Sequence, residues 1–309
     1  MLIAAFVVAL ISQVGYLYSA RMDDAVAVIP GPAGGLVAIG RVPRRSNFSL
    51  IAFGADLRSA LGRELGEHEK IAGFGEDGEL TTYDETKLSG AGTSPTGQPE
   101  DALGVMQIGR IRVAYGYGYV QIQEGSRRLA SIPRASPGEA FVVRPRQRDI
   151  VIFTDYLHRL GFRRIGFDGA VLGKREIAIG GRRDERRMLW YVPDRCLEDG
   201  RILTVVYIST FGSTLPGADE RRGLRFVLVD PDGERDTVLG KPVAWDPASD
   251  PHFPGDEAPM PSLLRSIACF GDGLVGVLAD YARLDFYKLS LPRKPPKAPT
   301  TTTAERGVR

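Results

Sequence analysis

The chain is short of the side chains from which most enzyme sites are built. Its 309 residues contain two cysteines and three histidines, and Asn47 is the only asparagine. Cys196 and Cys269 belong to no CxxC or Cys/His spacing, which excludes the usual zinc and dithiol motifs. They read as two reduced, buried thiols, or as a disulfide if the chain is exported and their α-carbons lie close enough. A site of three histidine ligands would need His68, His158 and His252 to converge. There is no G-x-S-x-G elbow, no Walker loop and no HExxH; "GEHEK" carries His68 and Glu69 but no second histidine four residues on. An excess of charge of one sign is also lacking. Forty basic residues against 38 acidic ones leave +2, which gives no field suited to gripping nucleic acid. The arginine clusters "RVPRR" (41–45), "RPRQR" (144–148) and "GRRDERR" (181–187) follow no helix period and read as solvated faces.

What is present is a core and abundant punctuation. Hydrophobic residues make up 43% of the chain, with 37 Gly and 21 Pro, enough to separate many short strands without low complexity. Helical patterning is scarce: "ADLRSALGRELGEHEK" (55–70) is the one passage that could be read as an amphipathic helix. Elsewhere short runs of Val, Ile, Leu, Phe and Tyr come in pairs, as in "LVAIGRV" with "NFSLIAFG", "KIAGFG" with "ELTTYDE" and "IRVAYG" with "YVQIQEG". The pairs continue with "DIVIFTD" and "LGFRRIGFD", "ILTVVYIST" and "GLRFVLVD", and "GLVGVLAD" and "RLDFYKLSL". Most pairs are followed by a small acidic or Gly-containing turn such as "GFDGAVLG" or "LVDPDGERD", where Asp-Gly supplies the backbone angles of tight turns. A further strand before a pair, such as "EAFVVRP" (139–145) or "RRMLWYVP" (186–193), completes a unit of four antiparallel strands. One phrase recurs: "VIFTDYLHRLGF" (151–162) and "VLADYARLDF" (277–286) share an Asp-Tyr pair, Arg-Leu and an aromatic two residues later.

Six hairpins, beginning near Leu36, Lys70, Ile111, Asp149, Ile202 and Gly273, imply about 45 residues per unit, the size of a propeller blade. On these repeats the chain resembles a β-propeller over nearly its whole length outside the two ends. The resemblance is architectural: WD dipeptides, kelch double glycines and Trp-bearing quinoprotein repeats are not found. It implies an all-β fold, a single propeller of about six four-stranded blades. The second blade is poorly formed, and a seventh could lie in the interval before Gly273. A large sandwich or two stacked barrels is the alternative all-β arrangement. The early strand "DAVAVIP" (24–30) is expected to seal the ring by supplying the outer strand that the last blade lacks. Lactonase-like and esterase-like propellers typically hold a central metal with several Asn and Glu side chains, and a chain with one asparagine cannot supply that set.

The two ends read differently from the middle. Residues 1–20, "MLIAAFVVALISQVGYLYSA", carry no charge and have the length of a signal peptide or membrane anchor, without a basic start and with bulky Tyr18 near a cut after Ala20. A buried first element is the other reading. Export implies a periplasmic or extracellular protein, with this segment either cleaved as a signal or retained as a membrane anchor. Residues 21–291 form the propeller, and the Pro- and Thr-rich 292–309 reads as a disordered tail.

Two connections exceed what hairpins need, 87–104 and 241–262. The first is small and polar, as a disordered loop would be. The second sets Trp245, Asp246, Asp250, His252 and Asp256 within a few residues, with Phe253 and Glu257 beside them. Clustered carboxylates with an imidazole could hold calcium or supply a general acid and base, while Trp245 could wall a ligand. These five residues are the expected binding site. Asp155 and Asp280, at matched turns, are candidates to face the channel or to cap those turns. Two function classes follow. One is a monomeric binding module for a protein, peptide or glycan, needing no cofactor beyond possible calcium. The other is a divalent-cation-dependent hydrolase or lyase using Asp246, Asp250 and Asp256.

Overall fold

In the computed structural model the described part of the chain is built from strands alone, β1 to β22. The structure describes residues 14–21, 23–31, 35–41, 47–54, 56–67, 69–74, 80–84, 104–115, 118–133, 139–156, 159–179, 187–193, 197, 199–210, 223–233, 235–243, 264–270, 273–279 and 283–293. After β1 (Val14–Arg21), the first unit is an antiparallel sheet of β2 (Asp23–Pro30), β3 (Leu36–Arg41), β4 (Phe48–Phe53) and β5 (Ser59–Glu64) in chain order. The same order recurs in β12 (Ala140–Arg144), β13 (Asp149–Tyr156), β14 (Arg159–Gly166) and β15 (Val171–Glu176). It recurs again in β16 (Arg187–Pro193), β17 (Ile202–Thr210), β18 (Gly223–Val229) and β19 (Thr237–Val243). The last sheet joins β20 (Leu264–Phe270), β21 (Leu274–Ala279) and β22 (Arg283–Leu289) to β1 at its outer edge.

Between the first and fourth units the pattern changes. β6 (Glu69–Phe74) and β7 (Leu80–Asp84) form a hairpin that joins the next unit's sheet, which contains β8 (Gly104–Ile108), β9 (Ile111–Tyr115), β10 (Tyr119–Glu124) and β11 (Arg127–Pro133). β6 meets β8 in parallel over two pairs, Gly73 with Gln107 and Phe74 with Ile108. Where six units are expected, the described strands form five sheets, β6 and β7 having no sheet of their own.

Among the described residues, neighbouring sheets share a core from the third unit round to the first, as in a propeller. Ile122 and Val113 pack against Val143, Ile150 and Ile152 between the third and fourth units. Phe153 and Leu160 meet Ile202, Val206 and Val227 between the fourth and fifth. Leu203 and Phe226 meet Val275 and Tyr287 between the fifth and sixth, and Leu284 and Phe286 meet Val28, Leu36 and Phe53 between the sixth and first. A middle strand buried on both sides should be a continuous apolar run, not an alternating one. β13 shows it: Ile150, Val151, Ile152 and Phe153 are all fully buried. The inner strands β12, β16, β20 and β2 neighbour one another in that order. Between the last two, the Val28 N–H donates to Ser266 Oγ (3.2 Å), whose hydroxyl donates back to the Val28 carbonyl (2.9 Å).

Two expectations are corrected. Residues 59–64 are strand β5 and not part of a helix: pairing with β4 outweighs local helix preference, and a Cβ on Gly62 would sit 2.9 Å from the Leu50 carbonyl oxygen. The outer strand that completes the last unit is β1, not 24–30; β1 pairs with β22 from Val14–Leu289 to Arg21–Arg283. Residues 24–30 lie in β2, the inner strand of the first unit. Residues 14–20, read from sequence as part of the leader, thus lie in the propeller's own sheet, and a cut after Ala20 would remove nearly all of β1. The recurring phrase holds where it is described. Leu160 and Leu284 are both fully buried at equivalent places, each facing the next unit around the ring. Asp280 and Tyr281 lie outside the described residues.

Candidate functional site

Antiparallel order sends successive connections to alternate ends of the sheets, which gives the propeller two unlike faces. One face carries the turns β8–β9, β10–β11, β12–β13, β14–β15, β16–β17 and β18–β19; its longest connection, 194–201, has eight residues. The other receives every connection of ten residues or more: 85–103, 177–186, 211–222 and 244–263. Direct contacts confirm the first grouping. Gly125 N–H donates to the Arg110 carbonyl (3.1 Å), Arg148 pairs with Glu124 (3.5 Å), and turns of the fourth unit meet turns of the fifth.

That last meeting is a closed ionic cluster. The Arg144 side chain is fully buried at the end of β12. Its Nε donates to Asp149 Oδ1 (2.7 Å) across the hairpin, and its Nη1 donates to Asp232 Oδ2 (2.9 Å) and to the Gly200 carbonyl (3.0 Å) in the next unit. Arg164 Nη1 donates to Asp232 Oδ1 (2.6 Å) and to the Pro231 carbonyl (3.2 Å), and its Nε lies 3.2 Å from Asp149 Oδ2. The turn aims Asp232: its own N–H donates to Asp230 Oδ1 and the Gly233 N–H to the Asp230 carbonyl. Gly200 is required, with φ at +84° and Gln147 Nε2 2.8 Å from where a Cβ would stand. Burial acts to lower the Arg144 pKa. The hydrogen bonds and charges of Asp149 and Asp232 outweigh it and hold the value above that of an ordinary arginine. Nearby, Arg175 binds both oxygens of Asp236 and lies over the Phe162 ring at 4.9 Å. Each of these acids is satisfied by arginines and backbone, so the cluster fastens two units together and is not arranged for proton transfer. Sequence reading missed it because "RPRQR" looks like a solvated run; the signal was Asp149 four residues beyond Pro145 and the Pro-Asp-Gly turn at 231–233.

The expected binding residues Trp245, Asp246, Asp250, His252 and Asp256 lie outside the described residues, as do His68, His158 and Cys196. Their connection leaves β19 at Val243 and re-enters at Leu264, both on the long-connection face. Cys269 is partly buried against the core between the fifth and sixth units. Among the described residues no group of three His, Cys, Asp or Glu side chains could hold a metal ion, and no helix is long and apolar enough to cross a membrane.

No protein-family model matches the chain, and no curated protein matches it. Among solved structures it is similar to a protein from Lactobacillus plantarum at 12% identity, covering 84% of this chain and 79% of that one, with a TM-score of 0.40. It is also similar to the N-terminal domain of Nup159, at 9% identity over 89% and 95% of the two chains (TM-score 0.37). A third likeness is to a catalytically inactive virginiamycin B lyase from Staphylococcus aureus with quinupristin, at 10% identity over 88% and 99% (TM-score 0.31). The propeller is read here from the chain's own strand pairing and shared cores, and these scores carry no functional information.

Proposed function

We propose that the protein is an exported or membrane-tethered propeller, periplasmic or extracellular, that binds a protein, peptide or glycan through its long-connection face. Export rests on the uncharged N-terminal stretch, and the observation that carries the binding reading is the division of the faces. One is closed by short turns and fastened by buried Arg–Asp pairs; the other gathers every long connection, including the loop of Trp245, Asp246, Asp250, His252 and Asp256. Binding residues concentrate on loops that a rigid scaffold holds, and a propeller supplies such a scaffold without dictating chemistry.

A divalent-cation hydrolase or lyase is the second reading, favoured by the carboxylates of the same loop, with Asp246, Asp250 and Asp256 as ligands for calcium. One experiment separates the two. The intact protein is screened on peptide and glycan arrays and melted with and without calcium, beside an Asp246→Asn/Asp250→Asn/Asp256→Asn variant and one whose residues 245–257 are replaced by a Gly-Ser linker. Binding lost only in the linker variant, with no calcium shift, supports a metal-free module. A calcium shift lost in the triple variant supports the metal site. Array binding unchanged in both variants removes this loop from the proposal.

A further inference from the structure

The short-turn face carries a second feature that the Arg–Asp cluster does not use. The four exposed large hydrophobic side chains among the described residues lie in the half of two outer strands nearer this end, Leu17 at the bulge midway along β1. Val171 and Leu172 begin β15 directly after its short turn and are 67% and 47% exposed; Tyr16 and Leu17 lie near the start of β1, whose Val14 pairs with Leu289 at that end. Scattered single residues of this kind need no explanation, but four on one end of the molecule do.

Exposed arginines share that end. Arg110, Arg127, Arg146 and Arg148 are exposed on adjoining turns of the third and fourth units. Adjacency follows from the Gly125 bond to the Arg110 carbonyl and the Arg148–Glu124 pair, and Arg148 lies over the Phe167 ring at 5.6 Å. Of the described acids at this end, Asp199 is paired with Arg201, Asp232 with Arg144 and Arg164, and Asp236 with Arg175, while Asp168 is exposed on the β14–β15 turn. The uncharged "MLIAAFVVALISQ" joins the sheet at Val14, on the same face.

We propose that the short-turn face rests on a bilayer with anionic headgroups. The arginines meet lipid phosphates, Tyr16, Leu17, Val171 and Leu172 enter the interfacial zone, and the long-connection face is turned to solvent. Apolar and cationic side chains on one rim are the chemistry of interfacial binding, in which two weak signals combine. The inference accepts the tethered form of the reading above but does not depend on what the other face binds.

The test is co-sedimentation of the full chain with vesicles of phosphatidylcholine alone or mixed with phosphatidylglycerol. Binding is expected to favour the anionic vesicles and to weaken as salt rises from about 0.05 to about 0.5 M. Arg110→Gln/Arg127→Gln/Arg146→Gln should bind about a hundredfold more weakly, at about fivefold per arginine, with an unchanged melt. Val171→Ser/Leu172→Ser should lose about tenfold. Equal binding to both vesicles, or insensitivity to salt, overturns the proposal from the wild-type protein alone, whether or not a variant folds. Wild-type affinity in the triple variant, with binding lost when residues 1–13 are deleted, leaves a tether but overturns the docking face. Self-association in solution abolished by the Val171/Leu172 substitutions assigns the face to a second copy and overturns it too, as does tighter binding to duplex DNA than to anionic vesicles.

Discussion

The interface between the fourth and fifth units and the one between the sixth and first perform the same task with different chemistry. Both bury an equivalent leucine, Leu160 in one and Leu284 in the other, against the next unit. The first adds a buried ionic cluster across the seam, Arg144 with Asp149 and Asp232 and Arg164 with Asp232. At the second, the described seam is apolar apart from the Ser266–Val28 pair, and it packs so closely that a Cβ on Gly276 would stand 2.5 Å from Leu36 Cδ1. The difference reflects position in the chain. The fourth and fifth units follow one another, so the Arg144–Asp232 contact spans 88 positions, against 238 between Val28 and Ser266. The sixth and first meet across the whole chain, and the closing strand β1 adds antiparallel pairing within the last sheet. A ring seam made by the chain's two ends is held by a ladder and a packed core; a seam between consecutive units can accommodate charges, whose net worth is small but whose geometry fixes one register.

The largest effect should come from breaking the ring seam. Removing residues 1–21 deletes β1, leaves β22 as an open edge and uncovers Tyr287 and Leu289. The truncated protein should aggregate or lose its cooperative melt, measured by light scattering and thermal unfolding. A soluble, cooperatively melting truncation would show that the seam does not need its closing strand.

Breaking the ionic seam comes next. Asp149→Ala leaves the fully buried Arg144 without its bidentate partner and should cost about 3–5 kcal/mol in chemical denaturation. Ser266→Ala, the polar counterpart at the ring seam, should cost only about 1 kcal/mol, since it removes a partly buried hydroxyl. Equal losses at the two sites would erase the distinction between them.

Leu160→Ala and Leu284→Ala sharpen the comparison from its shared side. Each should cost about 2–5 kcal/mol because both side chains are fully buried among large neighbours. The informative quantity is their difference. If the ionic cluster keeps its seam rigid, the cavity left by Leu160 relaxes less, and Leu160→Ala should be the more damaging of the two.

The sequence made these leucines legible because a repeated phrase places them, and the paired apolar runs announce the antiparallel strands, although five sheets stand where six units are expected. Joining of β6–β7 to the next sheet could not be read: it depends on two parallel pairs, Gly73–Gln107 and Phe74–Ile108, with no local signature. Residues 14–21 and 24–30 are both short apolar strands, so composition could not decide which one closes the ring; pairing with β22 decides it. The segment 55–70 has a helix-like period, yet Leu57 takes a positive φ of 61° and Gly62 fits beneath Leu50, both set by the sheet. Of the site, the long connection 244–263 was legible as a length and a composition. The Arg144 cluster was not, because its partner Asp232 is 88 positions away and is brought near only by the ring.

The smallest effect tests the packing between the fifth and sixth units. Tyr287 is buried there with its ring 5.0 Å from that of Phe226 and 5.8 Å from that of Tyr16. Burial, reinforced by the negative charge of Asp285, raises its phenol pKa far above the ordinary value of 10.0. The folded protein therefore keeps a proton that the unfolded chain gives up above about pH 10, so the native state binds more protons in that range. Stability from this group is fully present below pH 10 and falls as pH rises beyond it, by about 1.4 kcal/mol per pH unit. Tyr287→Phe should change the neutral-pH melt little and flatten the alkaline decline between about pH 10 and about pH 11. An alkaline profile identical in the two proteins would mean that Tyr287 ionises in the folded state, and that the seam between the fifth and sixth units opens to water more readily than its packing implies.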